Sequence, residues 1–242
     1  MNLFDNIYII LVYPKRSGNV GSIARIMKNF CLKNLRVVSK REILTTFESK
    51  KMAVHGKDIL ENAERYKTLE DAIFDLSIVV GATGKFHKDA PSEFEMDAFG
   101  ELIAKAKKNK VGILFGPEDR GLSNEELALC SYFLTIPANP EYPSLNLSHA
   151  VGVVAWEIFK RIDESRSKKV KRIVTKENME RLYSRMAELY TEVGFLDKIN
   201  PERIMKALRA LYDRIELTDR ELRILLGILK QTKWYIEKLK NK

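Results

Sequence analysis

Three segments carry residue types at spacings suited to holding an anionic or polar ligand. The first is YPKRSGNVGSIARIMKNF, residues 13–30. Gly18 and Gly21 permit a tight turn and close backbone approach, and the helix that follows opens with unbonded N–H groups. Arg25 falls one and two helical turns beyond Gly21 and Ser17, where a guanidinium reaches an anion such as phosphate held at the loop. The spacing lacks the Gly-Lys-Ser/Thr ending of a nucleotide-hydrolysing phosphate loop. The second segment is GPEDRGLSNEEL, residues 116–127, with Glu118, Asp119 and Arg120 between Gly116 and Gly121. Its plainer reading is a helix-opening turn whose acids suit the helix dipole and whose arginine pairs with them. The third is PANPEYPSLNLS, residues 137–148, in which Ser144, Asn146 and Ser148 alternate with leucines. A helix N-cap accounts for Ser148 but leaves Ser144 and Asn146 without a role. GATGK, residues 81–85, joins them as a fourth polar, glycine-containing loop.

Each segment follows a short apolar run that reads as a strand: 7–12, 76–81, 111–115 and 132–136, with a fifth at 35–38. Helical patterns lie between them at 20–30, 97–108 and 124–129, and Ser123 with Glu126 forms a capping box for the last. Strands alternating with helices, and apolar on both faces, predict a mostly parallel α/β sheet covered on each side. Ligands of such sheets bind beyond the carboxyl ends of the strands, where all four loops fall. After the charged stretch 161–174, three amphipathic helices are expected: 176–193, one opening at Asn200–Pro201 and ending near 215, and one from the Thr218/Glu221 capping box to about 239. The predicted organisation is an α/β domain over 1–160, a linker over 161–174 and a helical extension over 175–242.

Charge follows the same division. The 242 residues carry 42 Lys and Arg against 33 Asp and Glu, a net charge of +9, all of it beyond residue 159. A neutral first part and a basic second part suit chemistry in one and a polyanion grip in the other. On charge alone, a solvated tail of Lys and Arg explains it equally well. No apolar run reaches the roughly 18 residues of a membrane span, and no basic region precedes the first, so a cytoplasmic protein is expected. Cys31 and Cys130, far apart and in apolar sequence, read as reduced structural thiols, and no carboxylate cage for a metal is apparent.

The loops, in this order, resemble the signature blocks of the SPOUT methyltransferases, and more narrowly the TrmJ branch of the TrmH-like group. The matching residues are SGNVGSIARIMKNF (17–30), FGPEDRGLSNEELALC (115–130) and IPANPEYPSLNLSHAV (136–151). The tail EVGFLDKINPERIMKALRALYDRIELTDRELRILLGILKQ (192–231) resembles that branch's helical extension. The resemblance implies a trefoil-knotted sheet, a homodimer with active sites at the subunit interface, and S-adenosylmethionine as cofactor. It further implies 2′-O-methylation of tRNA at the pyrimidine of position thirty-two in the anticodon loop, with cytidine, or cytidine and uridine, accepted. Carried over by position, Ala82, Thr83, Gly84, Gly116, Ile136, Pro143, Ser144 and Leu145 surround the cofactor, while Asn19, Arg25, Glu118, Ser144 and Asn146 surround the reacting hydroxyl. Arg25, never a plausible proton acceptor at a pKa above about 12, is expected to clamp substrate phosphate, leaving the proton to solvent or to Glu118. Ser22 and Cys31 stand where the family usually has Ala and Gly. A ribosomal RNA methyltransferase of the same fold and a non-catalytic RNA-binding relative are the alternatives.

Overall fold

The apolar runs do pair, and every pairing is parallel. The computed structural model describes residues 3–84, 93–94, 99–161, 171–196 and 201–240. The expected Lys85, Asp97 and Asn200 positions and most of the 161–174 linker lie outside these. Seven strands, β1 (Ile7–Val12), β2 (Asn34–Val38), β3 (Glu64–Tyr66), β4 (Ile78–Thr83), β5 (Glu93–Phe94), β6 (Val111–Phe115) and β7 (Tyr132–Thr135), form one sheet in the order β3-β2-β1-β6-β4-β7-β5. Phe115 sits opposite both Leu11 and Ala82, and Thr83 opposite Thr135. The carboxyl ends of β1, β4, β6 and β7 are therefore level, and their loops leave one sheet edge together. Progress outward through β2 and β3 reverses to β4, on the far side of β1, which leaves a crevice beyond β1 and β6.

Both faces of β1 are buried, as its unbroken apolar run requires. Ile7, Ile9 and Leu11 are wholly enclosed, and Tyr8, Ile10 and Val12 join Leu76, Val79, Leu114, Leu127 and Phe133 in one core cluster. Among the described residues of this unit, seven α-helices accompany the sheet: α1 (Ser17–Asn29), α2 (Phe47–Ala53), α3 (Lys57–Glu61), α4 (Leu69–Ile73), α5 (Phe99–Lys105), α6 (Asn124–Ala128) and α7 (Leu147–Arg161). α1 packs on α2, α3 and α7, while α5 packs on α7. Arg36, buried on β2, donates to both oxygens of Asp75 (2.7 and 3.2 Å), to Glu64 and to the carbonyl of Ala72. This network ties β2, β3 and α4 together. Burial raises the Asp75 pKa, but Arg36 and Lys110 outweigh it and hold the carboxyl at about 2.

Several boundaries differ from the sequence reading. α1 opens at Ser17, three residues early, so Gly18 and Gly21 are helical rather than part of a loop. β4 runs two residues later than expected, which makes Ala82 and Thr83 its final rungs. α7 opens at Leu147, and the helix expected over 97–108 is the shorter α5. β3 and α2 to α4 were not legible: β3 is three residues with two exposed charges, and the short helices have no sustained apolar period. Cys31, expected in apolar surroundings, is exposed, and its φ of 60° is a left-handed conformation that favours glycine.

The chain divides into two compact units, Met1–Lys171 and Arg172–Lys242. In the second, α8 (Lys176–Glu192), α9 (Pro201–Asp213) and α10 (Asp219–Lys240) are present. Met179, Leu182, Tyr183, Met186, Leu189, Leu222 and Leu229 form its core. The Tyr183 hydroxyl donates to Asp213 at 2.8 Å, and the Thr218/Glu221 capping box opens α10.

Candidate active site

The glycines of α1 serve packing. A Cβ on Gly21 falls 2.2 Å from the Ser49 carbonyl oxygen of α2, and one on Gly18 falls 2.7 Å from the Glu48 carboxylate. On the facing turn, a Cβ on Gly56 lies 2.7 Å from the Ala24 carbonyl. Small residues let these helices approach backbone to backbone, which fixes the first turn of α1 at the sheet edge. The anion-loop reading of Gly18 and Gly21 is thus corrected: their missing side chains face α2.

That first turn meets the β6 loop through Glu118. One carboxylate oxygen accepts the Lys15 N–H at 2.8 Å, and the other accepts the Asn19 side-chain amide at 2.8 Å and the Arg16 N–H at 3.2 Å. Burial pushes the Glu118 pKa up, but the Asn19 amide and the Lys15 and Arg16 N–H groups outweigh it and hold the carboxyl below its ordinary range. Glu118 is ionised at neutral pH with both oxygens engaged. Arg120 makes a two-pronged pair with Glu126, both distances 2.8 Å, and Asp119 pairs with Lys15. The plainer reading, in which Arg120 pairs with the turn's own acids, is corrected: Arg120 pairs with Glu126 of α6, and Asp119 with Lys15 of the β1 loop. Ser123 and Glu126 complete the expected capping box.

From the β7 loop, Asn146 reaches the same turn. Its side-chain oxygen accepts both the N–H (2.9 Å) and the hydroxyl (2.8 Å) of Ser148. This orients the amide so that its NH₂ faces the Asn19 side-chain oxygen, 3.5 Å away. A directed chain results: Ser148 to Asn146, Asn146 to Asn19, Asn19 to Glu118. Asn146 retains a second N–H, and it is exposed at the crevice. Sequence reading assigned the cap to Ser148; Asn146 makes it, and Ser148 sets its orientation. The Asn-x-Ser spacing at a helix start was the available signal.

The residues expected around the cofactor lie at the ends of β4, β6 and β7. A Cβ on Gly116 meets the Gly121 carbonyl carbon at 2.2 Å and the Leu122 nitrogen at 2.3 Å, so the loop folds back onto a position only glycine can occupy. Gly121, at φ +71°, makes that reversal. Gly84 lies beside the Pro143 carbonyl, 3.4 Å from where its Cβ would stand, which brings the β4 and β7 loops together. Ser144 and Leu145 are exposed, and Ile136, Ser144 and Leu145 make no hydrogen bond among the described residues. Their free backbone groups beside two side-chain-free glycines fit a ligand recognised through its edges by main-chain atoms, as an adenine and an amino-acid end are.

Arg25 is not brought into this cluster. It is exposed on α1 and has no hydrogen-bond or ion-pair partner among the described residues. The exposed Trp156 and Phe159 of α7 meet the half-buried Phe30, which follows α1, at ring distances of 6.1 and 5.9 Å. Among the described residues no group of His, Cys, Asp and Glu is arranged to hold a metal, and no helix is long and apolar enough to cross a membrane.

Residues 6–156 match the SpoU rRNA Methylase family, and residues 177–241 match the C-terminal domain of the tRNA methyltransferase TrmJ. The tRNA (cytidine-2′-O-)-methyltransferase TrmJ of Methanocaldococcus jannaschii is 44% identical over 155 residues, covering 63% of this chain and 67% of that protein. The tRNA (cytidine/uridine-2′-O-)-methyltransferase TrmJ of Escherichia coli K12 is 33% identical over 94% of this chain and 95% of its own. Among solved structures, TrmJ from Z. mobilis ZM4 superposes with a TM-score of 0.79 at 29% identity, covering 93% of this chain and 98% of that one. The methyltransferase AviRb from Streptomyces viridochromogenes, solved with AdoMet, shares the fold at a TM-score of 0.53 and 20% identity, covering 66% and 58%.

Proposed function

Because the chain belongs to the SpoU methylase family, in the branch that ends in a TrmJ C-terminal domain, we propose that it methylates ribose 2′-hydroxyls of tRNA with S-adenosylmethionine. The observation that carries the reading is the character of the cluster. It offers oriented amides and free main-chain donors, while both oxygens of the Glu118 carboxylate already accept hydrogen bonds. Such a site suits a reaction that needs positioning more than strong acid–base chemistry. Positioning alone contributes on the order of 7–11 kcal/mol in favourable cases.

S-adenosylmethionine, when bound, supplies an electrophilic methyl group on a sulfonium. Ala82, Thr83, Gly84, Gly116, Ile136 and Pro143 to Leu145 hold it at the strand ends. The Ser144 hydroxyl and the free Asn146 N–H hold the ribose oxygen. Glu118 keeps Asn19 and the first turn of α1 in place, and the hydroxyl proton leaves to water, since Glu118 has no unengaged oxygen. Arg25, which lies outside this cluster within one chain, takes the adjoining phosphate and offsets charge on the ribose oxygen where a second copy brings it to the site.

The reading includes a homodimer, supported by the exposed Trp156 and Phe159 of α7, which pack against the half-buried Phe30 at the end of α1. It includes the family's knotted threading, a cytoplasmic location, and the pyrimidine at position thirty-two as target. The second unit supplies phosphate contacts, with boundaries at 1–160, 161–174 and 175–242. Ribosomal RNA is the alternative substrate, and the match over 177–241 favours tRNA. The test is transfer of labelled methyl to separate pools of unmodified tRNA and ribosomal RNA. Label in tRNA alone is expected, and label confined to ribosomal RNA overturns the substrate assignment.

A further inference from the structure

Phe47 is the most exposed large apolar residue in the described structure, at 83%. It opens α2, the first helix after β2, on the carboxyl side of a parallel sheet, and therefore on the edge that carries the cluster. Glu48, its neighbour, accepts a hydrogen bond from Ser17 at 2.5 Å, so the start of α2 touches the start of α1, two residues before Asn19. The close packing at Gly18 and Gly21 holds α2 rigidly there.

Charge around Phe47 is one-sided. Lys50 and Lys51 follow at three and four residues, on its own face of the helix. Lys40 and Arg41 stand in the preceding loop. All four are exposed and have no acidic partner among the described residues. The nearby acids are already engaged: Glu42 with Arg65, and Glu48 with Ser17. An exposed aromatic ring flanked by unpaired cations matches single-stranded nucleic acid, whose bases stack while its phosphates are neutralised. The other exposed apolar side chains of this segment, Met52 and Val54, stand five and seven residues further on, so the side chains one helical turn from the ring on its face are the two lysines.

We propose that Phe47 is a stacking platform for an unpaired base of the RNA substrate, flanking the nucleotide whose ribose lies at Asn146, with Lys50 and Lys51 on the adjoining phosphates. This rests on the tRNA reading above, and names a base contact that the cluster itself lacks. The ring touches substrate only, so it sets RNA affinity and leaves cofactor binding and folding alone.

The experiment uses the full chain and an unmodified tRNA transcript. Dissociation constants, methyl transfer, melting temperature and sedimentation are measured for wild type, Phe47→Ala, Phe47→Trp and Lys50→Gln/Lys51→Gln. Phe47→Ala is expected to weaken tRNA binding by roughly 5- to 150-fold, the span of ~1–3 kcal/mol per stacked base at 1.4 kcal/mol per tenfold. Phe47→Trp restores binding, and the double lysine variant lowers the salt dependence of affinity by about two phosphate contacts. Affinity for S-adenosylmethionine and melting temperature stay at wild-type values. Wild-type tRNA affinity in Phe47→Ala overturns the proposal, as does a changed oligomeric state, which assigns the ring to a protein contact. A wild-type protein that methylates no tRNA defeats the underlying reading instead, and is distinguished by that first measurement.

Discussion

Replacing Glu118 with glutamine separates two roles for this carboxylate. One oxygen accepts the Asn19 amide and the Arg16 N–H, and the other accepts the Lys15 N–H. A glutamine can turn its oxygen toward only one side, so it keeps the pair and sets its NH₂ against the Lys15 N–H. At least one bond to a charged acceptor is lost, worth ~1.5–3 kcal/mol in general. Glu118 is only part-buried, which lowers the expectation to about 1–2 kcal/mol. A domain of this size loses roughly 2–4 °C per kcal/mol, so the melting temperature of Glu118→Gln should fall by about 2–8 °C at pH 7. The pH dependence has a definite sign. The folded pKa of Glu118 is depressed, so its stabilisation is complete above the unfolded value of about 4.3 and disappears as pH falls through the lower folded value. The gap between wild type and variant should therefore close on acidification. Differential scanning calorimetry from pH 7 downward reads this directly. An unchanged melting temperature combined with a loss of turnover of ~10²-fold or more would refute the argument and make Glu118 the proton acceptor.

Ser148→Ala removes one of two donors that orient Asn146; turnover should fall by roughly 2- to 10-fold, the worth of about 0.5–1.5 kcal/mol, with KM for S-adenosylmethionine unchanged in steady-state kinetics. Arg25→Lys should lose most activity while calorimetry shows little change in cofactor affinity, because the lysine cannot make the forked phosphate contact. Gly116→Ala forces a Cβ into the Gly121 and Leu122 backbone; a loss of about 3 kcal/mol is expected from urea unfolding, from the upper range of overpacking costs.

How legible this site was depends on the distance over which each signal acts. The strands β1, β6 and β7 announce themselves because double-sided burial makes every position apolar. A parallel sheet then puts their loops on one edge without further information. The capping boxes at Ser123 and Thr218 are local and were read correctly. Gly18 and Gly21 misled because a glycine that admits a ligand and one that admits a neighbouring helix look alike in sequence; only α2, itself without a clear period, distinguishes them. Glu118 and Asn19 are 99 residues apart, and no spacing argument joins them. Their association rests on β1 and β6 being neighbours, a pairing that crosses the whole excursion through β2 to β5. The sequence reading has Arg25 reaching its own loop, yet it is exposed with no hydrogen-bond or ion-pair partner among the described residues, which is intelligible if a second copy completes the site. The cofactor positions came from family resemblance, since main-chain recognition leaves almost no side-chain signature.

The most direct measurement is nucleoside analysis by mass spectrometry of tRNA incubated with the protein and isotopically labelled S-adenosylmethionine. The label should appear in 2′-O-methylcytidine, or in that and 2′-O-methyluridine. Label on a nucleobase atom, or no label in tRNA that the protein binds, would contradict the account.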